Sequence, residues 1–288
     1  MDVNERKELV LRHTTEVIKE EEIDQVLTKQ NPSAYIGYAP TGSMHIGHFI
    51  NLRKATDFIK AGIDLKILLA DIHAELDIEK TAPHLVDART KYYKETLEAM
   101  MDAAGVKNGY EFVRGSSFQH DADYQKLYMR LMENASVNRA RRAVAEVVRH
   151  KESMKASGLL YCFMQIADPV SLDVDICYSG LDQRRIYMLG RETLPKVGVE
   201  GHQTCVFSPL VSGLTGSKMS ASSEETKISV HDDPETVKEK MEDAYCPEGE
   251  TEDNGVLEYL KYLVFPILKE EDEDFTITRP DEYGGDTT

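Results

Sequence analysis

Apolar positions at helical spacing (Leu9, Val17, Ile18, Ile23, Val26, Leu27) run through residues 1–30 in a heavily charged background, which predicts two short amphipathic helices laid on the domain that follows. The pattern then changes. Ser33 to Tyr38 (SAYIGY) reads as a strand, Ala39 to Met44 (APTGSM) as a turn, and His45 to Ala61 as a helix stopped by Gly62. Leu65 to Ala70 (LKILLA) has the apolar run of a strand covered on both faces, and a helical pattern through Leu85, Leu97, Met100 and Met101 follows it. Tyr110 to Arg114, Asp173 to Tyr178 and Gln203 to Ser208 read as three further strands with helices between them. This alternation predicts an α/β fold with a doubly wound parallel sheet. A charged helical insertion from Ala122 to His150, about 115–155 with its flanks, separates the third and fourth strands. After Gly213 the chain turns polar and small (GLTGSKMSASSEET), and Pro234 to Tyr245 and Val256 to Leu268 are helical again. The expected division is an α/β domain over 1–230, with a loop at 213–224, and a smaller helical domain over 231–288. The tail from Thr278 has turn chemistry and no terminal helix, so that second domain reads as incomplete.

At 41% hydrophobic residues, 288 residues can bury a sizeable core, and a net charge of −17 spread through the chain argues against a generally basic nucleic-acid coat protein. The longest apolar stretch, Tyr262 to Leu268, contains Pro266 and is far short of the roughly 20 residues a membrane span needs. The N-terminus, MDVNERKELV, lacks the apolar core of a secretory signal, so the reading is of a cytoplasmic protein without a membrane partner. Cys162, Cys177, Cys205 and Cys246 form no CxxC pair and have no histidine at ligand spacing; they read as buried reduced thiols, with no metal site.

Three groups of residues carry chemistry. Pro40-Thr41-Gly42-Ser43-Met44-His45-Ile46-Gly47-His48 stands after a strand and opens a helix, where exposed N–H groups attract phosphate, Gly42 and Gly47 let a nucleotide approach, and His45 and His48 share one helical face. Gly213 to Ser222 holds one lysine, Lys218, among small hydroxyl residues, suited to closing on a departing pyrophosphate. In the helical stretch from Tyr161, Gln165 and Asp168 follow at i+4 and i+7, so phenol, amide and carboxylate fall within roughly 60° of arc on one wall. Burying a carboxylate without a partner costs several kcal/mol, so something polar must face that wall.

With HIGH at His45 to His48 and a KMSAS loop at Lys218 to Ser222, in that order around a parallel α/β core, the chain resembles the class I aminoacyl-tRNA synthetases. Over its whole length, to Arg279-Pro280 and Gly284-Gly285-Asp286, it is most similar to the tyrosyl enzymes of the archaeal and eukaryotic type. The resemblance implies a Rossmann-like catalytic domain, a helical domain on the anticodon side, and ATP-dependent activation of L-tyrosine to tyrosyl-adenylate followed by transfer to tRNA(Tyr). ATP brings its Mg²⁺ and no metal is bound by the protein. A homodimer with the insertion at its interface is implied as well. Catalysis is assigned to His45, His48 and Lys218, and ATP binding to Gly37, Pro40, Gly42, His45, Gly47, His48, Lys218, Met219, Ser220 and Ala221. Ala221 departs from the serine or lysine usual at its position, which leaves main-chain contacts there and removes any side-chain contribution.

By the same resemblance Tyr161, Gln165 and Gln183 hold the α-amino end of tyrosine, Tyr35 and Asp168 the phenol hydroxyl, and Leu68, Ala70 and His73 further line the pocket. A hydroxyl that donates to Asp168 and accepts from Tyr35 lets the site reject phenylalanine. Arg142 and Arg184 match positions on the acceptor-stem side. Three rivals remain: a tryptophanyl enzyme, whose indole cannot accept from Tyr35; an HxGH nucleotidylyltransferase, which the KMSAS loop and helical domain disfavour; and a non-catalytic RNA-binding paralogue, which has no need of His45, His48 and Lys218.

Overall fold

The computed structural model describes residues 1–77, 81–147, 154–200, 203–216 and 227–288. Packing divides them into two compact units, one of residues 1–42 and 51–210 and one of residues 43–50 and 211–288.

The first unit is built on a six-stranded sheet. Its N-terminal arm consists of helix α1 (Val3–Leu11), strand β1 (Glu16–Ile18) and helix α2 (Glu21–Leu27). Strand β2 (Ser33–Tyr38), helix α3 (Ile46–Lys60), β3 (Asp64–Leu69), α4 (Asp71–Leu76), α5 (Val86–Ala103) and β4 (Tyr110–Arg114) follow. The insertion supplies α6 (Ala122–Glu133) and α7 (Val137–Val144), after which come α8 (Ala156–Ser171), β5 (Ile176–Gly180), α9 (Arg184–Thr193) and β6 (Thr204–Ser208). Sheet order is β1-β6-β5-β2-β3-β4, with every pair parallel except β1 on β6. The doubly wound parallel α/β fold is therefore present, with one antiparallel edge.

The two helices expected in residues 1–30 are present as α1 and α2, and the strand between them is the departure. Val17 and Ile18 are helix-compatible in spacing but lie on β1, because His13 (φ 58°) and Lys19 (φ 55°) break the helix on both sides and the short strand pairs with the open edge of β6. The fourth expected strand also moves: Asp173 adopts φ 50° in the turn after α8, so β5 starts at Ile176. α1 opens with a capping box between Asp2 and Glu5. Arg6 ties it down by donating to Ala61 O at 2.7 Å and Leu27 O at 2.9 Å.

The insertion is part of the core rather than a solvated arm. Tyr124, Leu131, Ala140, Ala143 and Val144 bury against Cys162, Phe163 and Ile166 of α8 and Ile186 and Leu189 of α9. Three of the four cysteines are buried as expected, but Cys246 is exposed.

The second unit contains the first turn of α3, α10 (Pro234–Glu242), α11 (Gly255–Tyr259) and α12 (Phe265–Glu271), with a π turn at Leu260–Val264. Ile50, Leu214, Tyr259 and Leu263 form its core, with Val211 packed on it, which is why the division falls at residue 210 and not near His231. Gly255 is required there: a Cβ would lie 2.8 Å from both Ser212 O and Gly213 O. Residues 277 and 287 close the tail as an antiparallel bridge.

Candidate functional site

In the first unit α8 packs against α4, α6, α7 and α9. β2 carries Tyr35 opposite Lys66 of β3 and Cys177 of β5. Leu68 lies near the end of β3, and His73 lies on the first turn of α4, which starts directly after it. Helical period places Tyr161, Gln165 and Asp168 along α8, as their spacing predicts, and Gln183 precedes α9.

Asp168 is the centre of the arrangement and is 1% exposed. Its Oδ1 accepts from Gln119 Nε2 at 2.7 Å and from the Tyr124 hydroxyl at 2.8 Å. Its Oδ2 faces His73 Nε2 at 3.6 Å, beyond hydrogen-bond distance. Burial pushes the carboxyl pKa up, while His73 and the two hydrogen bonds oppose that rise. Burial likewise lowers His73, against the pull of Asp168 and Asp71. The His73 ring stands edge-on to Tyr161, with centroids 4.6 Å apart. Tyr35 shares a hydrogen bond of 3.0 Å with the Tyr187 hydroxyl, and burial raises both phenols. Gln165 Nε2 donates to Gln183 Oε1 at 3.0 Å.

Among the described residues, three buried polar atoms around this wall have no hydrogen-bond partner: His73 Nε2, Gln119 Oε1 and Gln165 Oε1. Buried polar atoms are rarely left so, and together with Asp168 Oδ2 they make this wall the candidate place for a polar ligand. Gln119 is placed from below: Asp71 accepts from Ser116 N at 2.8 Å and Arg114 Nε at 2.5 Å, fixing the turn at Gly115–Ser117.

The turn after β2 is held by α5. Arg89 Nη1 donates to Thr41 O at 2.8 Å and Thr81 Oγ1 to Pro40 O at 3.4 Å. The Tyr93 hydroxyl lies against the backbone of Gly42 and Thr41, and burial raises its pKa to about 12. Gly37 is not sterically demanded by the protein itself, since a Cβ would meet the Tyr35 ring at an ordinary 3.5 Å.

In the second unit His45 and His48 do share a face, with ring centroids 4.1 Å apart. Exposed backbone N–H groups, however, are not what the turn offers. His45 N donates to His48 Nδ1 and Gly47 N to His45 Nδ1, both at 3.2 Å; Ile46 N donates to Ile228 O at 3.0 Å and His48 N to His45 O at 2.9 Å. The two imidazoles cap the turn: His48 takes the place of the glutamate in a capping box, while His45 accepts from Gly47 N, one residue earlier than the serine of that motif does. Because each Nδ1 accepts, the neutral ring carries its proton on Nε2. Burial, then His48 and Lys227, bring the His45 pKa to about 3, and burial, with Lys227 assisting, brings His48 to about 4, so both rings are held toward the neutral form. The turn therefore presents two imidazole donors rather than backbone amides.

Lys218, Met219, Ser220 and Ala221 lie outside the described residues. Arg142 is exposed on α7, and Arg184 is held by Glu16 of β1 through bonds of 2.6 and 2.8 Å. Arg185 pairs with Glu146 at 3.0 Å. Gln119, Tyr124 and Tyr187 were not anticipated. Tyr187 follows Gln183 by one helical turn and so had a spacing signal; Gln119 had none, and Tyr124 reads as one more residue of a charged insertion.

The sequence profile of the tRNA synthetases class I (W and Y) matches residues 27–287. A tyrosine–tRNA ligase of Haloarcula marismortui is 51% identical over 289 residues, covering 100% of this chain and 83% of that protein. The tyrosyl-tRNA synthetase of Archaeoglobus fulgidus, solved in complex with L-tyrosine, superposes with a TM-score of 0.90 at 38% identity, over 99% of this chain and 87% of that one. The corresponding L-tyrosine complex from Pyrococcus horikoshii gives a TM-score of 0.90 at 28% identity, over 100% and 85%.

Proposed function

The chain belongs to the class I tRNA synthetases, among the tyrosyl enzymes, and activates L-tyrosine with ATP for transfer to tRNA; from that premise we propose which of its residues carry each step. The tryptophanyl and nucleotidylyltransferase readings are not favoured, since relatives matched over the whole chain are named for tyrosine.

Tyrosine is held on the α8 wall of the first unit. One observation carries this reading: buried Asp168 commits Oδ1 to Gln119 and Tyr124 and keeps Oδ2 beyond hydrogen-bond distance of its neighbour His73. The phenol hydroxyl donates to that oxygen, and the Tyr35 hydroxyl supplies its hydrogen to the phenol by rotating out of its bond with Tyr187. Gln165, whose Oε1 has no partner, takes the α-ammonium group together with Gln183 and Tyr161, and Leu68 and His73 flank the ring. The tyrosine carboxylate attacks the α-phosphorus of ATP, the bond to the β-phosphate oxygen breaks, and pyrophosphate leaves. His45 and His48 donate from Nε2 to phosphate oxygens whose charge grows during attack, and Lys218 meets the departing pyrophosphate. Gly37, Pro40, Gly42 and Gly47 give the nucleotide room, with Met219, Ser220 and Ala221 contributing main-chain contacts. Mg²⁺ enters as the counter-ion of ATP. No protein nucleophile is needed.

Arg142 and Arg184 serve the acceptor stem of tRNA(Tyr). Exposed Met129 (52%), Met132 (41%) and Val137 (63%) on the insertion favour it as a homodimer interface. Among the described residues no helix is long and apolar enough to cross a membrane, and the cytoplasm, where tRNA is charged, is the proposed place of action.

The test is ATP–pyrophosphate exchange with each of the twenty amino acids, followed by aminoacylation. Exchange is expected with tyrosine, with phenylalanine and tryptophan near background. Faster exchange with tryptophan overturns the pocket assignment. Arg142→Ala and Arg184→Ala are expected to lower aminoacylation while leaving exchange intact; a parallel loss of both reactions refutes the acceptor-stem role.

A further inference from the structure

The second unit holds a buried lysine to which none of the roles above gives a task. Lys227 has 0% exposure, and its ammonium donates to Ser43 Oγ at 2.7 Å. The two segments that carry this pair are locked in register. Ile46 N donates to Ile228 O at 3.0 Å, Val230 N donates to Met44 O at 3.2 Å, and His45 bridges Ser229 in antiparallel fashion.

An ammonium can only donate, so Ser43 Oγ is the acceptor of this bond and its own proton must point elsewhere. A hydroxyl that accepts from a cation is itself a stronger donor. Ser43 is half-buried and stands two residues before His45, so its proton belongs to the same short turn as the two imidazole Nε2–H groups. The charge of Lys227 is felt on that turn, where it helps to lower both imidazoles after burial has done most of the work. Lys240 of α10 donates to Lys227 O at 3.1 Å and to Asp232 Oδ2 at 2.6 Å, which ties down the backbone that carries Lys227.

We propose that Ser43, held by buried Lys227, is a further phosphate-binding residue for ATP: its hydroxyl donates to a phosphate oxygen alongside His45 and His48, with the Lys227 charge fixed behind it. Ser43 touches the substrate in this arrangement and Lys227 is its positioning residue. The inference rests on the assignment of phosphate binding to His45 and His48.

The test is calorimetric titration of adenosine, AMP, ADP and Mg²⁺–ATP, without tyrosine, into the full chain and its Ser43→Ala, Lys227→Met and His48→Ala variants. Ser43→Ala is expected to lose roughly ten-fold in ATP affinity, the worth of one hydrogen bond to a charged group, with adenosine affinity unchanged. Lys227→Met is expected to lose at least as much, and the double variant no more than Lys227→Met alone, because hydroxyl and ammonium act as one unit. Ser43→Ala removes only a half-buried hydroxyl, so it keeps the test valid if Lys227→Met fails to fold; unchanged tyrosine affinity verifies its fold. Wild-type ATP affinity in Ser43→Ala, with a loss in His48→Ala, overturns this proposal alone. Equal losses for adenosine and ATP in Ser43→Ala also overturn it, since they mark a structural role. Wild-type ATP affinity together with a wild-type rate of ATP–pyrophosphate exchange in His48→Ala overturns the phosphate-site reading beneath it.

Discussion

Replacing Asp168 by Asn changes one atom and separates the two oxygens of the carboxylate by task. The amide oxygen stays at the Oδ1 position, where it still accepts from Gln119 and Tyr124, so the fold around α8 is retained. The amide nitrogen takes the Oδ2 position facing His73 Nε2, and it cannot accept a proton from the phenol. Tyrosine therefore loses one hydrogen bond to a charged acceptor, worth about 1.5–3 kcal/mol. At about 1.4 kcal/mol per decade this is a loss of roughly 10- to 150-fold in kcat/KM for tyrosine. Phenylalanine has no such bond to lose and no longer strands a buried carboxylate, so its own kcat/KM stays level or rises. The Tyr/Phe ratio should then fall by at least the same factor. Tyrosyl-tRNA synthetases as a class reject phenylalanine by on the order of 10⁵-fold, far more than one hydrogen bond supplies; the substitution thus erodes selectivity without abolishing it. ATP–pyrophosphate exchange at varied tyrosine and phenylalanine, with a thermal melt as a control for folding, measures the ratio. A ratio equal to wild type, or equal losses for both amino acids, would refute the role of Oδ2 as reader of the hydroxyl.

Gly115→Ala is expected to weaken tyrosine binding by about ten-fold without touching the substrate. Its Cβ would lie 2.6 Å from Gln119 Oε1 and 2.9 Å from Asp71 Oδ1, so Gln119 must swing away and release Asp168, forfeiting a hydrogen bond of about 1.5 kcal/mol. Titration with tyrosine checks this, and wild-type affinity would show that Gln119 does not orient the carboxylate. The imidazoles predict a pH dependence of stability. His45 at about 3 and His48 at about 4 lie below the unfolded value of 6.5, so between those limits the unfolded chain binds more protons than the folded one. Stability is complete above about pH 6.5 and is lost as pH falls from there toward 4, by a few kcal/mol at most. Urea unfolding at pH 7 and pH 5 should show this loss reduced in a His45→Gln, His48→Gln variant; the same loss in both chains would acquit the histidines.

The alternation of strands and helices, the helix-opening His45 to His48 and the wall of Tyr161, Gln165 and Asp168 are legible in the sequence for one reason. Each is a local pattern, set by a period of 2 or 3.6 residues or by turn chemistry within a few positions. Strand β1 is not legible, since three residues carry no decisive period and the segment becomes a strand only by completing the edge of β6. The partners of Asp168 are equally hidden: Gln119 and Tyr124 stand 49 and 44 residues away, and Tyr35 meets Tyr187 across 152. Nor does the sequence show that residues 43–50 pack with residues 211–288, or that Lys227 reaches Ser43 across 184 positions.

By itself, then, the sequence determined the fold class, the two motifs and the polar residue types along the α8 wall. Tertiary structure alone decided which oxygen of Asp168 is engaged by hydrogen-bond donors and which nitrogen of His45 and His48 accepts one. Those are questions of hydrogen-bond accounting. A donor or acceptor is assigned only when every neighbour is known, and the neighbours that matter are brought together by the closing of the chain, from positions whose separation leaves no periodic trace.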